Sequence, residues 1–177
     1  MNDTIDIPAR IDIDSLAAPF TRALASLDAA TSRVLDSASI EHRLRELVRI
    51  RASQINGCAY CVDTHTVDAL SGGDTMRRLA AIAVWNESAA FTARERAALA
   101  FTEVVTLAAS TRVPDGAISA AREQFTDAEL AAVLSLIVTI NAWNAVGVSA
   151  RPWPVDYANG SQSPVEGGDQ SNAVETS

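Results

Sequence analysis

An all-α fold is predicted by three observations. Ala dominates the 177-residue chain, while Gly and Pro number only 8 and 6, a mix that favours helix over sheet. Apolar residues recur at helical spacing, as Leu44, Leu47, Val48 and Ile55 do. No segment shows sustained period-2 alternation or a β-hairpin turn signal. The elements expected are about six to seven helices in one bundle spanning residues 14–154, between an N-terminal arm (1–13) and a polar tail (155–177).

Taken in order, Pro8 and isolated Ile residues keep the arm extended. Asp14 or Ser15 can cap a first helix running to about Leu35, bent near Pro19. After a break at Ser37–Ser39, a second helix covers Ile40 to Ile55, and Asn56-Gly57 stops it. A third starts around Cys58 and ends at Ser71-Gly72-Gly73. A fourth runs from Asp74 to Trp85. Thr92 with Glu95, and Thr126 with Glu129, are capping-box patterns. They open helices reaching about Ala109 and Val148, with a short helix from Pro114 to Gln124 between them. The tail is rich in Gly, Ser, Asn, Gln and acids, the composition of a disordered segment.

The net charge of −8, with a pI near 4.7, repels phosphate backbones and argues against nucleic-acid binding. The 14 basic residues are all Arg. The acidic start Met1-Asn2-Asp3 lacks the basic and apolar regions of a secretory signal, so a cytoplasmic protein is expected. Leu130 to Ala150 is free of charge and long enough to span a bilayer. Asn141 and Asn144 within it are costly in lipid, so a buried bundle or interface helix is expected, with no membrane partner. That uncharged helix and the small size of the bundle point to a homo-oligomer.

The chemistry concentrates between Glu46 and His65. The two cysteines, Cys58 and Cys61, are three apart, and His65 lies four past the second. Residues i and i+4 share a helix face, which puts His65 beside Cys61. Cys61 falls in the first turn of its helix, where unpaired N–H groups and the positive dipole end favour thiolate. The Asn56-Gly57 turn frees the backbone ahead of Cys58, which allows Cys58 to approach Cys61 and resolve what it forms. If the second and third helices pack antiparallel, Glu46 and His65 stand about 15 and 12 Å from the turn, nearly level. The order is then carboxylate, imidazole, nucleophile.

Glu46, eleven intervening residues, Cys58-x-x-Cys61, three more and His65 resemble the core of AhpD-like alkylhydroperoxidases, in the carboxymuconolactone decarboxylase superfamily. The run Arg-Ala-Ser-Gln-Ile-Asn-Gly-Cys-Ala-Tyr-Cys-Val-Asp-Thr-His-Thr is similar to its short peroxidase-related members, and the likeness covers residues 15–150. The resemblance implies an all-α fold, assembly into dimers, trimers or hexamers, and reduction of a hydroperoxide at the expense of an external dithiol, with no cofactor. It makes Cys61 the peroxide-attacking residue, Cys58 the resolving one, and Glu46 and His65 the proton relay. One departure stands out: the best-known members carry His just before the later cysteine, where this chain has Tyr60, a possible pocket residue. The decarboxylase branch lacks the cysteine pair.

Other readings stand beside these. The cysteines with His42 and His65 could make a zinc site, or the pair could be inert. The protein could be a redox sensor or an oligomeric binding protein without turnover. Glu46 could simply pair with Arg43, Arg45 or Arg49, and His65 could be a hydrogen-bonded core residue. Trp85, Trp143 and Trp153 read as core or interface, and Arg77 and Arg78 as a solvated face.

Overall fold

Helix formation begins earlier than Asp14. In the computed structural model, which describes residues 7–155, the Asp12 carboxylate accepts from the Ser15 amide at 3.2 Å and caps a single turn, α1 (Ile13–Leu16). The chain breaks at Ala17 (φ −129°) and resumes as α2 (Ala18–Ser37), with Pro19 in its first turn. Proline has no N–H to lose there, so the bend expected at Pro19 is instead a break two residues before it.

α3 (His42–Asn56) ends at Gly57, whose φ of +73° suits glycine alone at low cost. α4 (Ala59–Ser71) starts at once and packs antiparallel on α3. The predicted Asp74–Trp85 helix is shorter: α5 (Met76–Ala80) is capped by Thr75, and a 3-10 segment (Ala81–Glu87) follows, broken at Val84. Asp74 instead accepts from the Thr75 amide and from Arg78. α6 (Ala93–Thr106) and α9 (Asp127–Ala150) both open with the capping boxes the sequence shows. Between them lie α7 (Ala108–Thr111) and α8 (Asp115–Arg122). The described residues contain no strand, so the all-α expectation holds.

α9 packs on α2, α3, α4 and α6 and forms the spine of the bundle. One core cluster gathers Leu35, Leu44, Val48, Phe101, Val133, Leu136 and Ile137; a second gathers Leu47, Ile50, Leu79, Ile82 and Leu99. By length and composition α9 alone among the described helices could cross a membrane, but its polar groups are met by protein. Asn144 donates to Ser53 Oγ (2.9 Å), Asn56 donates to Asn141 and Asn144 (2.7 and 2.9 Å), and Thr31 and Thr139 hydroxyls share a hydrogen bond of 2.8 Å. Buried amides need such partners, and here they fix α9 in register with α2 and α3. Arg78, expected on a solvated face, is largely buried between Asp74 and Glu95 and pins the 3-10 segment's flank; Arg77 is exposed.

The N-terminal arm is bound to the bundle. The amides of Arg10 and Ile11 donate to the Ala150 carbonyl (2.8 and 3.1 Å), and the Arg10 guanidinium donates to Val148 O. The predicted tail beyond residue 155, and residues 1–6 of the arm, lie outside the described residues.

Candidate active site at the α3–α4 turn

The turn builds the site. Past Gly57, Cys58 is extended (φ −86°, ψ 97°) and serves as the N-cap of α4, its Sγ accepting from the Cys61 amide at 3.3 Å. The two cysteines are joined as a disulfide, with Cα atoms 5.4 Å apart. Two Cβ atoms spaced i,i+3 inside a helix are too far apart for this bond; placing Cys58 just outside the helix removes the difficulty. Cys61 sits at the third position of α4, among the amides that carry the positive end of the helix dipole.

One turn on, His65 Nδ1 meets Glu46 Oε2 at 2.9 Å across the hairpin. The two residues that the spacing set level are therefore in direct contact. Glu46 is 1% exposed and its second oxygen, Oε1, accepts from Arg49 at 2.6 Å. The ion pair with Arg49 and the bond to His65 thus coexist on one carboxylate. Burial alone would raise the Glu46 pKa, but the hydrogen bond from His65, the Arg49 and His65 charges and the Arg49 hydrogen bond together hold it below the usual carboxylate value. With Nδ1 engaged, His65 Nε2 is the ring nitrogen without a hydrogen-bond partner among the described residues. Asp68 stands 3.8 Å from Nδ1, and its pKa is raised, by burial first and by the Glu46 charge second.

A cavity of about 200 Å³ opens beside the disulfide. Cys61, His65 and Arg49 line it together with the rings of Tyr60, Trp143 and Trp153, and Ile140, Thr64 and Asp28 complete it. Cys58 does not line it. Cys58 lies behind, against α9, where a Cβ on Gly147 would come within 2.8 Å of Cys58 Sγ. Trp153 packs on Tyr60 (centroids 5.3 Å apart) and on Trp143 (5.6 Å, edge to face), and its indole N–H donates to Asp14 at 3.1 Å.

All four residues expected at the site are therefore together, and Tyr60 lines the pocket. The zinc set does not form. His42 lies 3.8 Å from Glu46 Oε1 and is mostly exposed, while the cysteines bond each other; among the described residues the one group of three or more such side chains with ligand atoms within 4.8 Å of one another is Glu46, His65 and Asp68. Trp143, expected in the core or an interface, packs against the cluster of Ala52, Cys58, Cys61 and Ile140 and also lines the cavity with Trp153, whereas Trp85 packs against the second core cluster and donates to Glu103 at 2.7 Å. Gly147 escaped notice, although a glycine inside an apolar helix costs about 1 kcal/mol and signals a close approach.

Fold and site together define an all-helical protein with a redox-capable cysteine pair backed by a buried carboxylate–imidazole couple. The model of the carboxymuconolactone decarboxylase family matches residues 18–111, and the chain belongs to that family. The uncharacterized protein YdfG of Bacillus subtilis (strain 168) is 40% identical over 111 residues, 63% of this chain and 76% of the relative. A solved structure from Agrobacterium tumefaciens, of unknown function but with a name linking it to antioxidant defence and AhpD, is 34% identical at a TM-score of 0.77, covering 84% of this chain and all of the other. An uncharacterized peroxidase-related protein from Ralstonia eutropha JMP134, described as an AhpD core, superimposes at 0.70 with 23% identity over 81% of this chain and 74% of its own. The last likeness speaks for the fold alone; the fold is the AhpD-like one.

Proposed function

We propose that the protein is a thiol-dependent hydroperoxidase with Cys61 as the attacking residue. One observation carries the reading: Cys61, not Cys58, faces the cavity, together with a histidine whose far nitrogen is held by a buried, ionised glutamate. In the reduced protein, His65 takes the Cys61 proton. The thiolate donates an electron pair to the terminal oxygen of the hydroperoxide, the O–O bond breaks, and the leaving alkoxide takes a proton from His65. The products are an alcohol and a Cys61 sulfenic acid. The Cys58 thiol displaces water from it and gives the disulfide seen in the structure. An external dithiol returns two electrons and two protons by exchange at the pair. Arg49 orients Glu46, Glu46 orients His65, and Gly147 leaves room for Cys58. No cofactor enters this cycle.

A cytoplasmic location fits a cysteine pair that must be reduced again. Self-association is supported by exposed apolar residues on two adjacent helices, Leu27 and Val34 of α2 and Leu134 and Val138 of α9. Thiol titration before and after one equivalent of hydroperoxide tests the chemistry. The reduced wild type loses two thiols; Cys61→Ser loses none; Cys58→Ser reacts once and ends overoxidised. Wild-type peroxide consumption by Cys61→Ser would sink the mechanism. The rival reading, a thiol sensor without turnover, draws support from the burial of both cysteines (2% and 4% exposed). It predicts disulfide formation with no sustained consumption under excess dithiothreitol.

A further inference from the structure

From the shape and chemistry of the cavity, and resting on the hydroperoxidase reading, we infer that its substrate is a neutral hydroperoxide built on a single aromatic ring, and that Trp153 is the specificity-determining residue. Size sets the first bound. A dry cavity of ~150 Å³ accommodates benzene, and this one, at about 200 Å³, accommodates one ring with a short substituent. Hydrogen peroxide would leave most of it unfilled, and a long acyl chain would have to run out of its mouth.

The walls set the second bound. Tyr60, Trp143 and Trp153 form a continuous aromatic surface, each ring against the next at 5.3 and 5.6 Å. The Trp153 indole N–H is turned outward to Asp14, and its benzo edge lies 3.7 Å from the place a Gly147 Cβ would take. Trp153 is thereby held by the bond to Asp14 and by its two ring neighbours, which suits a ring stacked or set edge-on beside it. Charge sets the third. The one guanidinium on the wall, Arg49, is already paired with Glu46 at 2.6 Å. Asp28 lines the cavity and makes no ion pair among the described residues. A substrate bearing a carboxylate would meet Asp28 without a free counter-charge. The reacting end is then directed at Cys61 and His65, with the ring held beside Tyr60, Trp143 and Trp153.

The test compares second-order rates of oxidation of the reduced full-length protein by cumene hydroperoxide, hydrogen peroxide and linoleic acid hydroperoxide. Cumene hydroperoxide is expected to react at least about tenfold faster than either other probe, and Trp153→Leu to lower its advantage over hydrogen peroxide about tenfold, whereas Trp153→Phe keeps most of it. A wild-type preference for hydrogen peroxide or the fatty-acid probe, or the same ratio in Trp153→Leu, overturns the assignment. Binding of 2-phenyl-2-propanol, measured by calorimetry on the oxidised protein, separates the pocket from the chemistry. Saturable binding weakened about tenfold by Trp153→Leu, with no peroxide reaction at all, would sink the peroxidase reading and leave the aromatic pocket standing. No saturable binding to the wild type overturns the pocket. Helical circular dichroism of each variant shows that it is folded.

Discussion

Glu46 is the residue on which stability and chemistry meet. It was legible as a candidate because the arithmetic of the helix rise places it opposite His65, and that contact is real at 2.9 Å. Its second tie, to Arg49, was legible only as an alternative, because one carboxylate has two oxygens and a linear sequence does not say that both are used. Glu46→Gln removes the charge that Arg49 pairs with and one acceptor of the Glu46–His65–Arg49 network, and is expected to cost about 1–3 kcal/mol at pH 7, with slower peroxide reaction. The folded pKa of Glu46 lies below the ordinary value for a glutamate. Its contribution is therefore full above that value and is lost as pH falls through the folded pKa. Thermal unfolding should show the gap between wild type and Glu46→Gln closing in acid; a gap constant from pH 7 to pH 3 refutes the assignment. Gly147 makes a second prediction. Gly147→Ala puts a Cβ at 2.8 Å from Cys58 Sγ and is expected to lower stability by about 1–3 kcal/mol despite alanine's better helix propensity, read by denaturant unfolding of the oxidised protein.

The α3–α4 hairpin was the most legible element, since its turn, cap, dithiol and relay all fall within a short run of sequence and depend on local geometry. Both capping boxes were equally plain, and Thr126→Ala should cost about 1 kcal/mol in urea unfolding. The segment after Asp74 was not. Helical periodicity continues through Trp85, but the chain tightens to a 3-10 segment because tertiary bonds outweigh propensity: Trp85 donates to Glu103, and Arg96 binds the carbonyls of Trp85 and Ser88. α9 shows a similar limit. Its asparagines argued against lipid, yet nothing in the sequence says that Asn144 reaches both Ser53 and Asn56. Asn144→Ala is expected to cost about 1–3 kcal/mol by stripping those groups of partners.

At the scale of the whole molecule, the fold class was readable from composition and periodicity, and the roof of the site was not. Asp28, Trp143 and Trp153, with Asp14 holding Trp153, come from the two ends of the chain, and their meeting at the cavity beside Cys61 is a product of the packing of α2 and α9 around the hairpin. A surface for self-association would likewise be a product of packing rather than of a motif. Val138 is 53% exposed in the middle of the bundle's most apolar helix; if that face is an interface, Val138→Arg yields a smaller species than wild type in light scattering, and an unchanged mass places the interface elsewhere.

The span of the site's contacts also orders its assembly. The dithiol closes over three positions and the relay over nineteen, but the bond from Trp153 to Asp14 bridges 139. Short loops close early and long ones late. A chain still emerging from the ribosome can therefore make the hairpin's own contacts before Trp153, which follows the last helix, has been added. For that interval the cysteine pair stands without the indole that later walls its cavity.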